Sequence, residues 1–416
     1  MSTSNNSGGH PVMNSEPGRA RRSQFYWFPV VVVLMASVLY TYRRGGAEQP
    51  PASYIISGSF TTSSLYVLRY EHESRKLEVV QSVAGYGPHQ YLHLDRHRRR
   101  LYATSWQEPA RLSAWDIHTD RPGMPPRLTL INQAPINNSN TAAVSSYITS
   151  KHSLLFSVGG PTGEIHRLNP DTGAIEQKLQ ELLFVPNEAL RHEDKSRKAL
   201  VQLFSQPLDA EKKALEFVSE IKSVRADDGP RHAVVSADGE RLYVVTEHID
   251  LSMGARIASR VDLYDVTRVG LQYRASSSVI EEPEEHDKYR GDTIRMVPQS
   301  CLDGESAEER EYIVATTRGA TPSQPGHLAV MKYDFKSRTL TNLLRWQTPT
   351  SGGKANAIEL RPPLHLANNI FQLVLTDDLL GWISVLECNL STPKIHLLSR
   401  CLIAHQNFGA SHAVWI

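Results

Sequence analysis

A four-strand unit recurs along most of this chain. Each copy holds an apolar strand, a turn with Asp or Gly, a strand of the type RLYV, and two further strands. The copies begin at His89, Thr141, His232, Asp292 and Ala355, and apart from one wide gap they start 52 to 63 residues apart. Repeats of this length, with no helical period between the strands, are typical of four-stranded propeller blades. The sequence therefore predicts an all-β propeller.

The last strand of the chain, SHAVWI from Ser411, has no partner within its own repeat. The first strands of the repeat region, YIISGSF and SLYVLRY, also lack the remaining strands of a blade. Pairing between the two chain ends would close the ring and remove exposed sheet edges. We therefore expect N-terminal and C-terminal strands to build one shared blade.

The wide gap separates Thr141 from His232 by 91 residues, which is too long for one blade and too short for two. Two stretches within it, ALVQLF and EFVSEIK, have strand-like composition, whereas the run PNEALRHEDKSRK is polar. This pattern predicts a degraded blade, and with it a seven-bladed propeller.

The N-terminal region contains an uncharged run from Phe25 to Tyr42. Eighteen helical residues rise roughly 27 Å, enough to cross a thin bilayer. A cleaved signal peptide is the alternative, but LYTYRRGG offers no small-x-small cleavage site. The predicted organisation is a disordered polar tail over 1–24, a transmembrane signal-anchor helix over 25–42, a linker over 43–53 and the propeller over 54–416. The chain would be a single-pass membrane protein with its propeller on the lumenal or extracellular side.

The charge balance is close to neutral, with 45 basic and 44 acidic side chains, and gives no indication of a nucleic-acid partner. The three cysteines, Cys301, Cys388 and Cys401, lack CxxC or other metal-ligand spacing. We therefore expect neither a metal nor another cofactor.

Several motifs carry a family resemblance: GPRHAVVSADGERLYVVTE at 229–247, YRGD at 289–292, TPTSGGKANAI at 348–358, LTDDLLGWISV at 375–385 and the terminal FGASHAVWI. In these the chain resembles the fungal 3-carboxy-cis,cis-muconate lactonizing enzymes, or carboxymuconate cyclases, which are related to the propeller 6-phosphogluconolactonases. The resemblance implies an isomerase of aromatic-compound catabolism, an intramolecular lyase that adds a substrate carboxylate across a double bond and protonates the neighbouring carbon. A polycarboxylate substrate of this kind needs cations, preferably guanidinium groups, and a proton-transfer group.

The resemblance also implies roles for particular residues. Arg231 and Arg290 match carboxylate-binding arginines, and Glu247 matches the acidic proton-transfer residue. The family's G-x-H-G-M-x-F-D segment has no counterpart here, so His192 is the remaining candidate for the catalytic histidine. Weaker candidates for substrate contacts lie in the SGGKANA segment or open blades, and they are Ser351, Lys354, Asn356, His89 and His232.

Three functions stand at this point. The first is a carboxymuconate cyclase-like enzyme acting on a small polycarboxylate. The second is a lactone hydrolase of the 6-phosphogluconolactonase type, which would need an activated water. The third is a membrane-anchored propeller scaffold without catalysis, because fold alone does not dictate function.

Overall fold

The computed structural model describes residues 51–97, 99–106, 109–119, 124–136, 147–151, 153–159, 162–184, 200–205, 215–225, 228–247, 259–281, 288–303, 309–363, 369–403 and 409–416. Within these ranges the chain forms 26 strands and one 3₁₀ helix, Gln299–Cys301. The predicted all-β class is confirmed. Several middle strands carry four or five buried residues in a row, as in Ser64–Glu71, Arg111–His118, His327–Asp334 and Trp382–Asn389. Because successive side chains of a strand point to opposite faces, each of these sheets packs on a neighbour at both faces.

Six antiparallel four-stranded sheets, here called blades, account for 24 of the strands. Blade 1 consists of β26 (Ala410–Trp415), β1 (Ala52–Ser59), β2 (Ser64–Glu71) and β3 (Leu77–Ala84). Blade 2 consists of β4 (Leu92–Asp95), β5 (Arg100–Thr104), β6 (Arg111–His118) and β7 (Arg127–Pro135). Blade 3 consists of β8 (Tyr147–Lys151), β9 (Leu154–Gly159), β10 (Thr162–Leu168) and β11 (Ile175–Leu183).

The remaining blades follow the same order from inner to outer strand. Blade 4 consists of β14 (Pro230–Val235), β15 (Arg241–Thr246), β16 (Arg260–Thr267) and β17 (Gly270–Ser278). Blade 5 consists of β18 (Tyr289–Met296), β19 (Arg310–Gly319), β20 (His327–Asp334) and β21 (Thr339–Gln347). Blade 6 consists of β22 (Ile358–Leu360), β23 (Ile370–Thr376), β24 (Trp382–Asn389) and β25 (Lys394–Leu402).

The two chain ends share blade 1. Strand β26 pairs antiparallel with β1, with Ile55 opposite Trp415, and the Ile416 amide donates to the Tyr54 carbonyl at 3.0 Å. All six residues of β26 are buried. The predicted closure of the propeller by its terminal strands is confirmed.

The prediction of seven blades is wrong. The wide gap supplies only β12 (Leu200–Ser205) and β13 (Glu216–Lys222), which form a two-stranded sheet. This sheet lies beside outer strands, because Gln180 of β11 exchanges hydrogen bonds of 2.7 and 3.0 Å with the Leu215 backbone. The physical reason is a shortage of apolar strand sequence in the gap, where much of the chain is polar.

The hydrophobic core lies between neighbouring blades. Separate buried clusters join blades 1 and 2, 2 and 3, 4 and 5, 5 and 6, and 6 and 1. Among the described residues no such cluster joins blades 3 and 4, and the two-stranded sheet lies between their outer strands. Because blade 4 lacks such a cluster on this side in the described part of the chain, an apolar side chain of its inner strand, Val235 of β14, is left 52% exposed.

The predicted tail over 1–24 and transmembrane helix over 25–42 lie outside the described residues. Across the part of the chain that the structure describes, no helix is both long and apolar enough to span a bilayer. The single described helix, Gln299–Cys301, has three residues, whereas a span needs about 20. On this finding we correct the expectation of a single-pass membrane protein with a lumenal or extracellular propeller.

Candidate functional site

A cavity of about 460 Å³ lies where the inner strands of the blades meet. Its volume falls within the range of about 300–1,000 Å³ that is common for small-molecule sites. Because the inner strands of several blades contribute to its wall, residues far apart in sequence line it together. These residues include Phe60, Tyr91, Tyr147, Arg231, His232, Asp292, Ser411 and His412.

Arg231 lies at the wall of the cavity and bridges two carboxylates. Its Nη1 is 2.9 Å from Oε2 of Glu247, and its Nη2 is 2.7 Å from Oδ1 of Asp292. Burial alone would lower the pKa of Arg231, but attraction from Asp292 and Glu247 outweighs it and raises the pKa above its ordinary value. Each Arg carries five N–H donors, so the bridging guanidinium keeps donors for a ligand. The structure therefore brings together the predicted residues Arg231 and Glu247.

A glycine permits this approach of two blades. An added Cβ on Gly291 would lie 1.9 Å from the carbonyl oxygen of Thr246, the residue before Glu247. Only glycine fits at so short a distance. Gly291 thus lets β18 carry Asp292, which is 3% exposed, against the end of β15.

The second predicted arginine, Arg290, takes a different position. It is exposed, it pairs in register with Arg318 of β19, and it does not line the cavity. Arg318 is the arginine that reaches Glu247, through an ion pair to Oε1, and it also donates to the Gly353 carbonyl at 3.3 Å. Glu247 therefore lies between two guanidinium groups, those of Arg231 and Arg318.

Lys354, from the SGGKANA segment, lies near the cavity rim. Its Nζ is 5.5 Å from the ring centroid of Phe60 and 5.9 Å from that of Trp106, distances at which an aromatic face attracts a cation. Phe60 itself lines the cavity. None of the ion pairs found among the described residues involves Lys354.

Ser351 and Asn356 are buried and shape the loop before β22. The Asn356 amide N–H donates to the Asp292 carboxylate, and its side chain donates to the Thr317 carbonyl at 3.0 Å. The Ser351 hydroxyl accepts from the Gly353 amide at 3.2 Å. Neither residue lines the cavity. Their contacts hold Asp292 and the SGG turn in place.

The three histidine candidates differ in position. His89 is fully buried, and both ring nitrogens are engaged, by the Tyr86 amide at 3.2 Å and the Thr104 carbonyl at 2.7 Å. His232 lines the cavity, and its Nε2 accepts from Arg295 at 3.0 Å. Burial, then Arg295, lowers the pKa of His232 well below its ordinary value. His192 lies outside the described residues.

Sequence reasoning missed a polar cluster beneath the cavity, centred on Arg295 of β18. Arg295 donates to Glu359 at 2.7 Å, to the Tyr91 hydroxyl at 2.6 Å and to His412 Nε2 at 3.2 Å. The available signal was a second arginine in the mostly buried inner strand YRGDTIRM, five residues after Arg290. Asp292 in the same strand was also missed as a site residue, although it belongs to the YRGD motif.

No group of three or more His, Cys, Asp or Glu side chains in the described ranges is arranged to hold a metal ion. The chemistry that this cavity offers rests on guanidinium, ammonium, carboxylate, imidazole and phenol groups. Such a set can bind carboxylates and move protons.

Comparisons with known proteins relate the chain to lactonase-type propellers, although the family model is named for seven blades and the described residues form six four-stranded ones. A family model described as "Lactonase, 7-bladed beta-propeller" matches residues 54–197. The chain is 26% identical over 392 residues to Muconate cycloisomerase 1 of Cutaneotrichosporon cutaneum, covering 84% of this chain and 97% of that protein.

Solved structures share the fold. The periplasmic gluconolactonase of Pseudomonas aeruginosa superposes with a TM-score of 0.66 at 13% identity, over 88% of this chain and 99% of that one. A Bacteroides fragilis protein with the provisional name 6-phosphogluconolactonase gives 0.64 at 14% identity, over 89% and 99%. The resemblance to the carboxymuconate cyclases and the 6-phosphogluconolactonase propellers, predicted from the sequence, is confirmed: this chain is a β-propeller that is similar to lactonase-type propellers and to a muconate cycloisomerase.

Proposed function

We propose that this protein is an enzyme that closes a lactone ring on a small polycarboxylate of the muconate type, by adding a carboxylate oxygen across a carbon–carbon double bond. The observation that carries the proposal is the bridge from Arg231 to Glu247 and Asp292 at the wall of the cavity. A guanidinium held by two carboxylates is fixed in orientation before substrate arrives, which lowers the entropy cost of binding.

Positive charge that has no ion pair among the described residues lies at the rim of the cavity, and this charge favours an anionic ligand. Arg231 and Arg318 are balanced by Glu247 and Asp292. Lys354 and the exposed Arg290 add positive charge nearby. We assign Arg231 and Lys354 to substrate carboxylates, Arg290 to attraction of the anion from solvent, and Ser351, Asn356 and His89 to supporting the fold around them.

Glu247 is the proton-transfer candidate that the resemblance supplies. Its position between Arg231 and Arg318 favours the ionised carboxylate, because opposite charges stabilise it. An ionised Glu247 holds Arg231 and can accept a proton, so it suits the ring-opening direction.

The test is loss of ultraviolet absorbance when the protein is mixed with cis,cis-muconate or 3-carboxy-cis,cis-muconate, since cyclisation shortens the conjugated system. We expect turnover of at least one of them, and a fall in kcat/KM of about 100-fold or more in Arg231→Lys, which keeps the charge but loses the fork geometry. Arg268→Ala, at an exposed turn, is the control and should match the wild type. Wild-type protein that leaves both muconates unchanged would refute the proposal.

A lactone hydrolase is the second candidate, favoured by the lactonase family model over residues 54–197. In that case Glu247 would activate a water against the lactone carbonyl. Release of acid from 6-phosphogluconolactone, without any change in muconate absorbance, would select this function over the first.

A further inference from the structure

Lactone closure needs a proton donor, and none of the residues given a role so far supplies it. When the carboxylate oxygen bonds to one carbon of the double bond, the π electron pair moves to the neighbouring carbon, which must take up a proton. This inference rests on the proposed cyclisation.

Three ionisable groups beside the cavity are poor donors. Glu247 faces two guanidinium groups, which favour its ionised form. His232 and His412 each accept a hydrogen bond from Arg295 through Nε2. An imidazole that accepts at Nε2 is neutral, and the Nδ1 atom of each of these two rings lies 3.4 Å from a backbone amide, so both nitrogens of each ring are engaged within the protein.

Tyr91 is placed differently. Its ring lines the cavity and stacks on His412 with centroids 3.9 Å apart. Its hydroxyl oxygen accepts from Arg295 Nη2 at 2.6 Å, and because a guanidinium has no acceptor, the hydroxyl hydrogen must point elsewhere. Within the described residues, no group accepts that hydrogen.

We propose that Tyr91, held by Arg295, donates the proton to the substrate carbon during lactone closure. The O–H bond of Tyr91 breaks as the C–H bond forms, and the electron pair left on oxygen gives a phenolate 2.6 Å from the Arg295 guanidinium. A water molecule then returns a proton to the phenolate. Arg295 is a positioning residue, since it acts on the substrate only through Tyr91.

Electrostatics around the pair support this assignment. Arg295 is also ion-paired with Glu359 at 2.7 Å, so it does not depend on the substrate for a counter-charge. Burial raises the pKa of Tyr91, which keeps its hydroxyl protonated but makes it a weaker acid, and the Arg295 guanidinium opposes this rise. The same guanidinium stabilises the phenolate that remains after the proton is donated.

The decisive variant is Tyr91→Phe in the full-length chain, because phenylalanine keeps the ring that packs on His412 and Tyr147. We expect kcat on the converted muconate to fall about 100-fold or more, with KM nearly unchanged. In D₂O the wild type should place deuterium on one face of the product carbon. The residual product of Tyr91→Phe should carry it on both faces, since water then protonates the carbon.

Two further variants separate the roles, and a third serves as a control. Glu247→Gln should keep single-face deuteration, although its turnover falls. Arg295→Met alone should lower kcat. Added to Tyr91→Phe, it should cause little further loss of kcat, because the two residues act as one unit. Tyr102→Phe removes a buried hydroxyl bonded to the Gly173 carbonyl and should change only stability.

If the wild type converts neither muconate, the proposed cyclisation itself fails. If the wild type is active and Tyr91→Phe keeps more than about a tenth of kcat with single-face deuterium, the assignment of Tyr91 is overturned while the cyclisation stands. Double-face deuterium in Glu247→Gln with single-face deuterium in Tyr91→Phe would likewise overturn it in favour of Glu247.

Discussion

At the scale of single residues, the site contains charges that are neutralised within the protein and one cation, Lys354, that has no ion pair among the described residues. Arg231, Arg318, Glu247 and Asp292 neutralise one another within a few ångströms. Lys354 instead lies against the faces of Phe60 and Trp106 at the cavity rim. Discrimination between substrates with two and three carboxylates should therefore depend on Lys354 more than on the bridged arginines.

Lys354→Gln tests this reading. We expect KM for the muconate to rise about tenfold or more while kcat changes little, because the lost attraction acts on the bound substrate as much as on the transition state. Steady-state kinetics at low salt measures both constants. Lys336→Gln, at an exposed turn, is the matched control and should leave KM unchanged. A fall in kcat at constant KM would contradict the binding role.

His72 gives the protein a pH-dependent stability. Its Nε2 accepts from Arg361 Nη2 at 2.7 Å, and Arg361 is 3% exposed. Burial, then Arg361, lowers the pKa of His72 to about 4 from an ordinary 6.5. Between those values the unfolded chain holds a proton on His72 that the folded chain does not, so the free energy of unfolding falls as pH decreases.

The expected loss from His72 between pH 6.5 and 4 is roughly 1–2 kcal/mol, reduced from the full value because the ring is partly exposed. Urea unfolding at several pH values measures it. His72→Gln keeps an acceptor for Arg361 but does not titrate, so its stability should decline less steeply over this window. Parallel curves for the two proteins would show that His72 does not contribute.

At the scale of elements, most strands of the six blades could be found from the sequence, but the structure of the wide gap could not. The apolar repeats beginning at His232 and Asp292 predicted β14 and β18, and the lone terminal strand predicted its pairing with β1. The same reasoning failed for the gap between Thr141 and His232. The spacing between repeats does not distinguish a degraded four-stranded blade from a two-stranded sheet beside the outer strands. Arg295 and Tyr91 were missed because the sequence does not show which side chains of an inner strand point into the central cavity. That depends on how the blades are arranged around it.

Trp415 shows how much the closing strand β26 contributes. It is 1% exposed, packs on Tyr70, and its Nε1 donates to the Glu359 carbonyl at 3.2 Å. Trp415→Ala should lower the free energy of unfolding by about 3–5 kcal/mol, since the ring leaves a cavity between blades 1 and 6. Leu397→Ala, at a side chain 41% exposed on β25, should cost far less in the same denaturation assay. Equal losses would argue against a special role for the closing strand.

The two-stranded sheet of β12 and β13 is the element that we expect to open first. Phe217 on β13 is 58% exposed, and Gln180 ties the sheet to β11 by two hydrogen bonds to the Leu215 backbone. Gln180→Ala should speed amide hydrogen exchange over 216–222 while β15 to β17 stay protected, because local opening follows from few buried contacts. Unchanged exchange in that sheet would show that other contacts hold it.

At the scale of the whole molecule, the cavity exists only while the ring is closed. Ser411 and His412 of β26 line it beside residues of blades 2 to 5, and Ser411 donates to the His89 carbonyl. We expect closure of the ring to depend on the pairing of β26 with β1, and not on where the two chain ends lie in the sequence. Because the Ile416 amide bonds the Tyr54 carbonyl at 3.0 Å, the two ends of the propeller are close enough for a short linker.

This geometry makes two rearranged chains behave differently. Removing residues 410–416 should abolish the cooperative thermal transition and expose the edge of β1 to aggregation, because Ile55 and Ile56 lose their strand partner. A circular permutant that joins residue 416 to residue 51 through a Gly/Ser linker, with new ends in the exposed turn at Asp238 and Gly239, should melt cooperatively and keep muconate turnover. Calorimetry and the absorbance assay compare the two. A truncated chain that melts as sharply as the permutant would mean that blade 1 is stable without its C-terminal strand and that the cavity does not depend on it.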